Sequence, residues 1–137
     1  MTAPRPVSVA VKLLAVGAMA VPLLGVDSCQ EALNPVGPPP TADQILAYDA
    51  AAQTKVRNAI TIVEACYADT RNYVYCAPKQ EVYDLGVIPN GVTSPGYSLT
   101  ATSKSGTSFT ATRVPGGGIT RTCSAPGKGA CGADGKW

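Results

Sequence analysis

Apolar and polar positions divide the chain into stretches of different rhythm. Leu13 to Val26 (LLAVGAMAVPLLGV) is an uncharged apolar run, preceded by Met1–Lys12, which carries Arg5 and Lys12 and no acid. From Thr41 the apolar positions recur at steps of three and four. Ala52, Val56, Ala59, Ile60, Val63 and Tyr67 then form one stripe of a helix running to about Asp69. Gln53, Lys55, Arg57, Asn58, Thr61 and Glu64 fall mostly on the other side. Thr41 and Gln44 supply a capping box, Asp43 complements the positive end of the dipole, and no Gly or Pro interrupts the run. Such a helix has to bury its stripe against something.

Beyond Tyr73 the rhythm becomes alternation. Tyr97–Ser103 and Thr107–Arg113 place Tyr97, Leu99 and Ala101, and likewise Phe109 and Ala111, on one face, with Lys104-Ser105-Gly106 as the turn. Pro115–Gly118 is a second turn and Ile119–Cys123 a third short strand. One amphipathic helix followed by a meander predicts an α+β fold, a long N-terminal helix packed on a three- to four-stranded antiparallel sheet. Thr100, Thr102, Thr110 and Thr112 then take the other face, which is ordinary for a half-exposed sheet.

Composition narrows the chemistry. The chain has 137 residues, enough for one small domain, and a net charge of +2 with Lys and Arg scattered singly, which gives no nucleic-acid footprint. It contains no histidine, so Ser-His-Asp triads, Cys-His pairs and His-ligated zinc are excluded. Glu64, Asp69, Glu81, Asp84 and Asp134 read as the acids well inside the predicted head, solvated or capping turns rather than paired for catalysis. No enzyme activity and no cofactor is expected.

The first forty residues predict export. A spanning helix needs about 20 apolar residues and a signal-peptide core about 7–15, so the length of Leu13–Val26 favours a signal over a retained anchor. Extending the run back to Val7 includes Lys12, which would have to snorkel. Val26-Asp27-Ser28-Cys29 resembles a bacterial lipoprotein box, with Asp27 where that family has a small or hydroxyl residue. The resemblance implies that Cys29 is the lipidation site and first mature residue; an ordinary signal-peptidase site would leave Cys29 unmodified. Residues 29–40 end in QEALNPVGPPP, a Pro-rich linker that favours polyproline II. The division is therefore 1–28 signal peptide or membrane anchor, 29–40 linker and 41–137 head.

With Cys29 set aside, Cys66, Cys76, Cys123 and Cys131 remain, an even number for an exported domain. Four cysteines allow three connectivities. Sequence proximity favours Cys66–Cys76 and Cys123–Cys131, and closing such loops stabilises by about 2–3 kcal/mol each in the loop-entropy view. The spacings are too wide for a paired zinc motif, and no C-x-x-C suggests redox activity.

The stretches Ala47–Ala59 (AYDAAAQTKVRNA) and Val63–Asp69 (VEACYAD), then Asn72-Tyr73 and Glu81–Gly86 (EVYDLG), resemble the helix and helix-to-sheet passage of type IV pilin and type II secretion pseudopilin heads. The tail, Thr120–Cys123 and Cys131–Trp137, is similar to pilin-like endings. The resemblance covers about residues 41–137. It implies a non-enzymatic, surface-displayed structural or accessory subunit of a pilus or secretion-like system, with other subunits as partners and the membrane reached through a lipid or apolar anchor. The pilin cleavage signal has no counterpart: Gly17 leads into Ala-Met-Ala-Val-Pro22 without a Glu, and Pro35–Pro40 breaks any helix continuous with the head. A stand-alone exported lipoprotein whose head binds a ligand or protein is the other reading.

Overall fold

The computed structural model describes residues 37–137. The expected export signal, the expected lipidation site Cys29 and the linker up to residue 36 lie outside the described residues. Helix α1 spans Ala42–Thr70, and Thr41 starts it as the sequence predicts. The Thr41 hydroxyl accepts the Gln44 N–H at 3.3 Å, and the Gln44 side chain accepts the Thr41 N–H at 2.9 Å. The helix stops at Arg71, which takes a left-handed conformation (φ 54°) and returns its N–H to the Tyr67 carbonyl. The described helices include none long and apolar enough to cross a membrane.

Two short helices follow, α2 (Tyr73–Cys76) and α3 (Gln80–Asp84). Four antiparallel strands, β1 (Ile88–Thr93), β2 (Gly96–Thr102), β3 (Ser108–Arg113) and β4 (Ile119–Cys123), then form a meander in the order β1-β2-β3-β4. Three strands lie where alternation predicts them, to within a residue. The upper count of four is met by β1, whose sequence IPNGVT does not alternate and whose pairing with β2 is irregular between Asn90 and Thr93.

The helix stripe meets the inner sheet face. Ala52, Val56, Ala59, Ile60 and Val63 are buried, as are Tyr97, Leu99, Ala101, Phe109 and Ala111, and together with Tyr73, Val82 and Val87 they form one core. Tyr67 is half-buried and stacks on Tyr73 with ring centroids 4.0 Å apart. The two disulfides favoured by proximity are present, with Cα–Cα separations of 5.6 Å for Cys66–Cys76 and 5.8 Å for Cys123–Cys131. The first pins the end of α1 to α2; the second closes the loop after β4. That loop also holds itself through backbone bonds such as Lys128 N–H to the Ala125 carbonyl and Cys131 N–H to the Lys128 carbonyl.

Candidate functional site

Polar side chains inside the head gather at two places, and the more buried one involves an acid outside the predicted set. Asp49 is fully buried, so the acids read as inside the head (Glu64, Asp69, Glu81, Asp84, Asp134) omit the most enclosed one. Asp49 stands three residues before Ala52 and continues the apolar stripe. A charge at that spacing was the available signal. One carboxylate oxygen accepts the Ser105 hydroxyl at 2.5 Å, and the other accepts the Ala130 N–H at 3.0 Å. One helical turn on, Gln53 donates to the Ala130 carbonyl at 3.2 Å, so α1 grips both backbone groups of that residue. The Ser105 hydroxyl also contacts those of Ser103 and Thr107, at 3.0 and 3.3 Å.

Burial acts to raise the Asp49 pKa, but hydrogen bonds from Ser105, Ser103 and the Ala130 N–H outweigh it and hold the carboxyl below its ordinary value of 3.8. Asp49 is thus an anion at neutral pH, satisfied by donors that stabilise the charge. Gly129 makes this possible: its φ is +54°, and a Cβ there would collide with the Asp49 carboxylate. A surface recess of about 520 Å³ adjoins the cluster, lined among others by Ile45, Ser105, Thr107 and Lys128. The Ser105 hydroxyl is committed to a carboxylate of depressed basicity, an arrangement that secures the C-terminal loop rather than generating a nucleophile.

The second cluster centres on Glu64. Tyr97 donates its phenol proton to Glu64 at 2.7 Å, Tyr73 does so at 3.1–3.2 Å, and the Arg113 Nε lies 4.0 Å away. The Tyr73 and Tyr97 rings meet edge to face, 4.8 Å between centroids. Burial first, then the hydrogen bond to Glu64 and its negative charge, raise the pKa of both phenols. Glu64 is half-buried and does not cap a turn: it ties α1 to α2 and β2.

The remaining predicted acids, Asp69, Glu81, Asp84 and Asp134, are exposed. Asp84 accepts from Gln80 at 2.8 Å, and Asp134 accepts the Lys136 N–H at 3.1 Å. Among the described residues no three His, Cys, Asp or Glu side chains gather as metal ligands do. Thr100, Thr102, Thr110 and Thr112 share the outer sheet face with two serines. Ser98 pairs with Thr112 at 3.1 Å, Thr100 with Thr110 at 2.9 Å and Thr102 with Ser108 at 3.1 Å, hydroxyl to hydroxyl across β2 and β3. Along β4 a shallow cleft of about 540 Å³ is bounded by Ile119–Thr122, Lys136 and Trp137. No protein-family model, curated protein or solved structure matches the chain.

Proposed function

We propose that the chain is a non-enzymatic, exported, surface-displayed subunit or accessory component of a pilus or type II secretion-like system, with a pilin-like head. The observation that carries the reading is the order of parts. A long capped helix lies on a four-stranded antiparallel meander, and a disulfide-closed loop after β4 returns to that helix. The buried Asp49 and the half-buried Glu64 serve as structural anchors: Asp49 holds a loop and Glu64 holds two tyrosines. The paired disulfides suit an extracytoplasmic compartment. The apolar run, the Ser28-Cys29 step and the prolines before Thr41 supply a lipid anchor and a spacer in place of a continuous pilin helix.

The reading is tested by shearing and sedimenting surface filaments from cells that make the protein and searching them for its peptides by mass spectrometry. Peptides from residues 41–137 should co-sediment with filaments, and the intact mass of the membrane-bound form should correspond to a chain beginning at Cys29 with lipid added. A protein found only free of filaments overturns the subunit reading in favour of a stand-alone exported lipoprotein. A product that retains Leu13–Val26 overturns the cleavage.

A further inference from the structure

The two edges of the sheet are built differently. β1 carries Pro89, which has no N–H to offer, its register slips between Asn90 and Thr93, and it contacts α2 and α3. These features blunt an edge. β4 has no proline and no slip: five consecutive residues pair with β3 in unbroken register, from Phe109↔Cys123 to Arg113↔Ile119. The Cys123 N–H turns away from β3, to the Gly135 carbonyl at 2.8 Å. Antiparallel backbone groups alternate in direction, so Arg121 and Ile119 also turn their N–H and C=O outward. Ser124, of opposite parity, donates inward to Ser108, as that alternation requires.

Along this edge runs the cleft of about 540 Å³, with Lys136 and Trp137 as its far wall. Its charged lining residues are Arg121 and Lys136, the latter paired with Asp134 at 3.7 Å. The Arg121 and Arg57 guanidiniums lie 5.6 and 5.5 Å from the centre of the Trp137 ring. Neither is in a salt bridge among the described residues, where the ion pairs are Arg113–Glu64 and Lys136–Asp134. The Trp137 indole N–H is shared between the Thr122 carbonyl at 2.8 Å and the Thr110 carbonyl at 3.3 Å, which fixes the ring beside Arg121.

We propose that the β4 edge binds an extended acidic segment of a partner protein, which adds as a fifth strand beside Ile119–Arg121. Backbone bonds to the outward groups of Ile119 and Arg121 give the segment its direction. Acidic side chains at alternate positions, on the face shared with Arg121, meet Arg121 and compete with Asp134 for Lys136. A second copy of β4 is the wrong occupant, since its own Arg121 would face these cations and like charges across a strand pair repel. The inference rests on this edge alone and is independent of the subunit reading.

Trp137 is the only tryptophan in the chain, so its emission reports occupancy of the cleft. The full-length protein is titrated with a peptide of alternating valine and glutamate, and with one of alternating valine and lysine. The acidic peptide should shift the emission saturably, and the basic peptide should not. Arg121→Glu should weaken binding about tenfold or more, the equivalent of one good polar interaction. Ile119→Pro removes an outward N–H while sparing every cation and the β3 pairing, and it should weaken binding comparably. Circular dichroism of each variant verifies the fold. Binding unchanged by Ile119→Pro overturns strand addition, and equal binding of the basic peptide overturns the charge selection. An absence of saturable shift in the parent, or concentration-dependent dimerisation that the acidic peptide does not reverse, overturns the proposal as a whole.

Discussion

Replacing Asp49 by alanine would strand the Ala130 N–H and leave Ser105 only the Ser103 and Thr107 hydroxyls as acceptors. Loss of a buried partner of this kind costs about 1–3 kcal/mol, and urea unfolding should register it in the midpoint. The acid limb of stability carries the same signature. Because the folded pKa of Asp49 lies below its unfolded value of 3.8, its stabilisation is complete above that pH and disappears as pH falls through the lowered value. Asp49→Asn should therefore lose less stability than the parent between about pH 4 and pH 2. At Gly129 the left-handed φ and the carboxylate in the path of a Cβ act together. Gly129→Ala should destabilise by more than about 1 kcal/mol, read as a lower melting temperature. At this scale sequence was least informative. The burial of Asp49 follows from its place on the stripe, but its partners come from residues 56 and 81 positions away, which no local pattern encodes. Glu64 keeps part of the exposure the sequence predicts, but its two tyrosine donors were missed, because helical spacing reports direction and not the reach of side chains from α2 and β2.

Elements with a sustained period were legible and short ones were not. α1 offers repeated stripe positions, and β2 and β3 alternate cleanly, whereas α2 and α3 complete barely one turn each and β1 has Pro89 and Gly91 inside it. The docking of α1 can be measured by contrast. Ile60→Ala should cost about 2–5 kcal/mol, since Ile60 sits in the core, while the exposed Lys55→Ala should change stability by less than about 0.5 kcal/mol. The Glu64 cluster joins α1, α2 and β2, and its sign is opposite to that of Asp49. Tyr73 and Tyr97 have folded pKa values raised above the ordinary 10.0, so their contribution is intact below that pH and is lost as pH rises past it. Alkaline titration should show tyrosinate absorbance from these phenols appearing together with the loss of near-ultraviolet circular dichroism.

For the molecule as a whole, the disulfides staple both ends of a two-layer head. Proximity in sequence was sufficient to pair them, since each closes a loop between residues that the elements already bring together. Replacing Cys123 and Cys131 by serine should cost about 2–3 kcal/mol from loop entropy. At about 4–8 °C per kcal/mol for a domain of this size, differential scanning calorimetry should resolve the drop. Removing Cys66–Cys76 as well should consume a large share of a stability in the usual range of about 5–15 kcal/mol.

The grip of Asp49 on Ala130 also sets an order of events in time. The two residues are 81 positions apart, so α1 is synthesised long before the backbone N–H that its buried carboxylate accepts. Contacts of such separation are late and slow to form because a long loop has to close first. Until residue 130 arrives, the nascent helix holds a carboxylate whose cheapest solvent is water, and this resists premature collapse of its apolar stripe. The last long-range bond of the head therefore waits on the loop after β4.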